Sequence, residues 1–219
     1  MAIYYDYYYY YEDNIFQKAS FYSIAFILGV IGNGLVIFIT GFCMKKTVSP
    51  VWFLNLAIAD FTFTFFLPLR IAYLALDFHR PFGEAMCKFN SSLAFVNLYA
   101  SIYFLMVISI DRCISMLCPV WAQNHWNPRC ASFVALGLWI LALMLSSPYI
   151  HFRNTMQTED GIRCSNNYSP DEKQVKVTYR AMIISRFIFA FVIPFQIILI
   201  CYGAIVLFIF INFMCRSLL

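Results

Sequence analysis

Five ionisable residues stand inside otherwise apolar sequence: Asp60, Arg70, Asp111, Arg112 and Arg186. A charge near the centre of a membrane helix costs at least about 2.5–3.5 kcal/mol, so each of these needs a partner or a task. Asp60 suits a bound cation or a purely structural set of hydrogen bonds. Arg70 and Arg186 suit an anionic group held by their guanidinium forks, or they snorkel to lipid headgroups. Asp111-Arg112 by itself reads as an ordinary snorkelling pair at a helix end. No GxSxG, HExxH, paired metal cysteines or phosphate loop occurs, so the sequence speaks for binding and not for an enzyme.

These side chains must be positioned by elements that tolerate hydrocarbon. Of 219 residues, 62% are hydrophobic and only 12% charged, with a mean hydropathy of +0.72. A soluble domain carries about 25% charged residues, so too little polar surface is left to cover a water-soluble globule. The net charge of +4 is small and its Lys and Arg are scattered, which excludes a nucleic-acid partner. Lys18 and Lys45 bracket 26 uncharged residues, Lys88 and Asp111 bracket 22, Arg129 and Arg153 bracket 23, and Arg186 and Arg216 bracket 29. Each gap exceeds the roughly 20 residues a helix needs to cross a bilayer. Another apolar stretch between Lys46 and Asp77 holds only Asp60 and Arg70. The expectation is an all-α, polytopic transmembrane helix bundle with spans at about 20–43, 50–77, 84–117, 129–150 and 178–213. Residues 1–19 form a Tyr- and acid-rich tail, and 151–177 is the one long polar connection.

Lys45 and Lys46 after the first span, set against Asp6, Glu12 and Asp13 before it, favour an outside N-terminus. The count of basic residues over all loops does not. Cysteine gives independent support. Six of the eight fall in spans or near the inner ends, and only Cys87 and Cys164 fall on the outer side. There they either oxidise together, closing a loop that stabilises by about 4 kcal/mol, or remain free thiols. From Cys87 to Arg112 is roughly 37 Å of helix at 1.5 Å per residue, which carries Asp111-Arg112 to the inner interface.

GNGLV at 32–36, LNLAIAD at 54–60, Cys87, DRC at 111–113, Trp139, Cys164, Pro194 and Tyr202 follow one another in the order and spacing of the rhodopsin-like G protein-coupled receptors. The stretches KKTVSPVWFLNLAIAD, FLPLRIAY, DFHRPFGEAMCK, ISIDRCIS, PVWAQNH, SSPYIHFR and CSNNYS resemble the chemerin and formyl-peptide chemoattractant branch more narrowly. The resemblance implies a plasma-membrane receptor for an extracellular peptide or protein, signalling through a heterotrimeric G protein of the inhibitory class. It implies that Arg112, freed from Asp111 and assisted by Tyr202, faces the G protein. Asp60, Ser101, Asn97 and Asn33 would form a pocket for a possible sodium ion, with no other cofactor. Arg70, Arg186, Tyr73 and Phe95 would line the ligand cavity, and Cys87 and Cys164 would be bridged. Tyr4, Tyr5, Tyr7, Tyr8, Tyr9, Tyr10 and Tyr11, crowded among acids on a flexible segment, resemble sulfated receptor tails, although an unmodified tail stays open. Asn167 heads an N-x-S site in the outer loop. Asn90 heads another, too close to the membrane to be modified.

The family has seven helices and this sequence carries five. The tail of the last span, GAIVLFIFINFMCRSLL, holds Phe208, Phe210 and Phe213 where polar residues are usual. The expectations are an incompletely recorded receptor, or a truncated form that captures ligand or acts as a dominant negative. A small transporter or channel with Asp60 in its pathway is the alternative from another class.

Overall fold

The computed structural model describes the backbone of residues 2–75, 83–151, 153–158, 161–166 and 172–217, and side chains within 17–69, 71–72, 86, 88–148 and 176–215. Helix α1 (Ala2–Phe38) continues through a π-turn at Ile39–Cys43. It begins well before the expected residue 20, so the backbone of the segment read as a flexible tail is helical. No Gly or Pro occurs before Gly29 to stop it. The second span is two helices, α2 (Val48–Phe65) and α3 (Leu67–Ala75), not one. Pro68 has no N–H to give and its ring would meet the carbonyl of Thr64 in a straight helix. The chain breaks at Phe66, whose N–H bonds Phe63 O at 3.3 Å.

Helix α4 (Gly83–Leu117) lies at the centre and packs against α2, α6 (Pro128–His151) and α8 (Ile193–Ser217), while α1 lies on α2 and α3. The connection after α4 holds a short helix, α5 (Pro119–His125), with Pro119 in its first turn. The polar 151–177 segment is not all irregular. Strands β1 (Arg153–Thr158) and β2 (Gly161–Asn166) pair antiparallel, with Thr155 opposite Cys164, and lie against α4. The bundle is otherwise helical. Helix α7 (Glu172–Phe187) runs through a π-turn at Ile188–Val192 into α8.

That π-turn has a local cause. In an α-helix the ring of Pro194 would meet the carbonyl of Ala190, and widening the turn relieves it. Ile193 N–H then bonds Ile188 O, and Phe189 O is left facing Pro194, which has no N–H. Tyr103 Oη of α4 donates to that carbonyl at 3.1 Å.

Five helical stretches are long and apolar enough to cross a membrane among the described residues: Gln17–Cys43, Val48–Leu69, Lys88–Leu117, Pro128–Pro148 and Lys176–Cys215. This is a multi-pass membrane protein. Its core is built on small residues: Ala59, Ala100, Ala131, Ala135 and Ala142 are buried around Trp52, Tyr99 and Phe104. With lipid as apolar as leucine, close backbone approach and interhelical hydrogen bonds replace the hydrophobic drive. Trp139 Nε1 of α6 donates to Asn55 Oδ1 of α2 at 3.0 Å, and Phe104 meets Trp139 edge-on. By contrast α1 and α8 carry the large apolar side chains Leu28, Ile31, Ile200 and Phe213 exposed.

Candidate functional site

Three polar places are strung along α4. At about 1.5 Å per residue, Phe95 and Ser101 stand roughly 9 Å apart along the axis, and Asp111 some 15 Å beyond Ser101.

At mid-bundle, Ser101 Oγ donates to Asp60 Oδ1 at 2.6 Å and stands 3.2 Å from Asn97 Oδ1. Asp60 is brought there by α2, and Ser101 and Asn97 lie one turn apart on α4. Three hard oxygen donors thus converge, a donor set that fits an alkali cation. Asn33 does not join them: its amide donates to Gly29 O of its own helix at 2.9 Å. An asparagine inside a helix has its own turn's carbonyl in easy reach, and that local bond wins.

At one end of the bundle, Asp111 is almost fully buried at 3% exposure. Its carboxylate accepts from Trp126 Nε1 at 2.6 Å and from Ser49 Oγ at 3.3 Å. The expected partner, Arg112, is exposed at its neighbour's side and forms no ion pair with it among the described residues. Adjacent residues on a helix point about 100° apart, so one turns into the bundle and the next outward. Tyr202 is also exposed, on α8, and no hydrogen bond joins it to Asp111 or Arg112 among the described residues. Asp111 and Trp126, with Lys46, Ser115 and Gln123, border a cavity of about 390 Å³.

Toward the other end, a cleft of about 410 Å³ lies between α4 and the α7–α8 span, lined by Leu98, Ile102, Ile183, Phe187, Phe191 and Arg186. The Arg186 guanidinium sits over the Phe95 ring, 5.9 Å from its centroid. One cation among apolar walls can hold an amphiphilic anion. Arg70 and Tyr73 lie in α3, and their side chains fall outside the described residues, as do those of Cys87 in α4 and Cys164 in β2. Asn167 and the side chains of Tyr4, Tyr5 and Tyr7 to Tyr11 also fall outside them. Asn90 is buried within α4, in keeping with an unmodified site.

Trp126 and Ser49 are the functional neighbours that sequence reasoning misses. The only signal for Trp126 is an indole in a polar connection, a donor that asks for a partner without naming it. Tyr103 and Asn55 likewise find partners on other helices that no spacing rule reveals.

The family described as 7 transmembrane receptor (rhodopsin family) matches residues 32–214. Chemerin-like receptor 1 of Sus scrofa is 48% identical over 198 residues, covering 84% of this chain and 54% of its own length. Chemerin-like receptor 1 of Homo sapiens is 46% identical over 198 residues, covering 84% and 53%. Chemerin-like receptor 2 of Mus musculus is 42% identical over 181 residues, covering 83% and 51%. The chain spans about half the length of the curated relatives it matches.

Proposed function

Because this chain belongs to the rhodopsin family of seven-transmembrane receptors, we propose that it serves as a G protein-coupled receptor for an extracellular chemoattractant peptide or protein of the chemerin kind. The observation that carries the reading is Arg186 held over Phe95 at the rim of an apolar cleft. A guanidinium so placed suits the terminal carboxylate of a peptide whose last side chains are apolar. Arg70 and Tyr73, on α3, belong to the same cavity in this reading.

The remaining roles follow from that orientation. The N-terminus and the β1–β2 hairpin lie outside the plasma membrane, where Cys87 and Cys164 are bridged, Asn167 is glycosylated and the tail tyrosines are sulfated. Asp111, Arg112 and Tyr202 lie at the cytosolic end and meet an inhibitory-class G protein. Asp60, Asn97 and Ser101 hold a sodium ion through their oxygens, without Asn33. Sodium should then raise the unfolding midpoint of the chain and leave that of Asp60→Asn unmoved.

The test of the receptor reading joins residues 1–219 in frame to the last two helices of the Sus scrofa chemerin-like receptor 1. Cyclic AMP is then measured against chemerin-derived peptides with a free or an amidated C-terminus. The free acid should signal, and Arg186→Ala should weaken it by about 2 kcal/mol or more, some thirtyfold in potency. A chimera that reaches the surface and answers neither chemerin-derived nor formyl peptides would refute the proposal.

A further inference from the structure

Buried Asp111 lies at the floor of the cavity of about 390 Å³, and exposed Lys46, Ser115 and Gln123 stand at its rim. Among the described residues the donors to Asp111 are neutral, the Trp126 indole and the Ser49 hydroxyl, so its charge is solvated but not cancelled. A carboxylate offers about four lone-pair sites, and a further donor that is itself charged suits this floor best. The opposite pole is close by. Lys46 stands on the rim, and α2 starts beside it with no side-chain cap from Thr47, so the N–H groups of its first turn also favour an anion. Ser49, bonded to Asp111, is the second residue of α2, which puts the two poles within one helical turn, about 5.4 Å.

The level of the cavity in the bundle decides what can reach it. Three spans end around it: one begins at Val48, one ends at Leu117 and one begins at Pro128, and Val48 and Pro128 are part of its wall. Helix α5, which borders it, carries Val120 at 72% exposure and Trp121 at 48%, an apolar edge with an amphipathic ring of the kind found at the headgroup layer. One turn deeper than Ser49 on α2, Phe53 is exposed and offers hydrocarbon chains a surface.

We propose that this cavity is a lipid site that takes the headgroup of phosphatidylethanolamine. The primary ammonium donates to Asp111, the phosphate meets Lys46 and the first turn of α2, and the acyl chains stay in the bilayer. The two charges of that headgroup are parted by two carbons, which suits poles one helical turn apart. A choline headgroup carries the same charges but has no N–H to give, so it leaves the carboxylate without its further hydrogen bond. Phosphatidylglycerol satisfies Lys46 but brings only neutral hydroxyls to Asp111. The cavity falls within the roughly 300–1,000 Å³ of ordinary ligand pockets. The site depends only on the span ends and the walls of the cavity, and so stands apart from the receptor reading.

The experiment uses residues 1–219 in detergent micelles, with native mass spectrometry counting bound dioleoyl phosphatidylethanolamine, phosphatidylcholine and phosphatidylglycerol. One phosphatidylethanolamine should be held about tenfold more tightly than either rival, the worth of one charge-assisted hydrogen bond. Lys46→Ala and Asp111→Asn should each erase that preference, while Lys18→Ala, at the other end of the first span, should keep it. Should Asp111→Asn fail to fold, an N-methyl series decides on the unaltered chain. Affinity should step down from phosphatidylethanolamine through its N-methyl and N,N-dimethyl forms to phosphatidylcholine, and Ser115→Trp, which fills the rim, should flatten the series. Free O-phosphoethanolamine at equal concentration should not displace the lipid. Equal retention of phosphatidylethanolamine and phosphatidylcholine, a lead for phosphatidylglycerol, or displacement by the free headgroup would overturn the proposal, as would a preference that survives Lys46→Ala.

Discussion

Replacing Trp126 by phenylalanine isolates one bond. The ring that stands 6.3 Å from Trp52 is largely kept, and the donor to Asp111 is lost. A hydrogen bond to a charged group contributes about 1.5–3 kcal/mol, against about 0.5–1.5 for a neutral pair. At 2.6 Å on a carboxylate 3% exposed, this bond belongs to the upper half of its range, about 2–3 kcal/mol. Ser49 offers a useful contrast. Its 3.3 Å approach is long for a hydroxyl donor, so Ser49→Ala should cost less than about 1 kcal/mol. Both can be read from unfolding of the chain in mixed micelles by sodium dodecyl sulfate, followed by far-ultraviolet circular dichroism. Trp121→Phe, an exposed indole stacked on His125, serves as the control and should change little. In an Asp111→Asn background the acceptor is neutral, and the cost of Trp126→Phe should fall to about 1 kcal/mol. If Trp126→Phe costs no more than Ser49→Ala, or costs the same in both backgrounds, the carboxylate is not held by the indole.

Gly29 and Gly32 should respond oppositely to alanine in the same unfolding assay. A Cβ on Gly29 would stand 2.9 Å from Thr64 Cβ and push α1 off α2, costing about 1–3 kcal/mol, whereas Gly32 meets nothing within 4 Å and gains up to about 1 kcal/mol of helix propensity. Tyr103→Phe should cost about 1–3 kcal/mol, because the Phe189 carbonyl beside Pro194 loses its donor; Phe104→Tyr in its place should not restore it. Non-reducing peptide mapping of surface-expressed chain should find Cys87 joined to Cys164, a closure of about 4 kcal/mol, and recovery of both as alkylated free thiols would defeat that pairing and the orientation built on it.

The number of spans and their approximate ends were legible because hydrocarbon imposes a length. A run of some twenty uncharged residues is readable without knowing any neighbour, and Lys18, Lys45, Lys88 and Asp111 mark the limits plainly. The places of Asp60 and Arg186 were legible for the same reason, since a charge inside such a run demands a purpose. The breaks at Phe66 and Ile188–Val192 were half legible. Pro68 and Pro194 announce that a helix is disturbed there, but whether it kinks, splits or widens depends on who satisfies the freed carbonyl. For Phe189 that is Tyr103, some 86 residues away in sequence. Partner choice was not legible at all. Nothing local distinguishes Asn97, which reaches the Asp60–Ser101 group, from Asn33, which bonds its own helix. Adjacency suggested Arg112 for Asp111, yet a helix turns neighbours about 100° apart and hands the carboxylate to Trp126 and Ser49 instead. Burial, length and charge are properties of a segment and can be read from it, whereas a hydrogen bond between helices belongs to their packing and exists only once they are folded together.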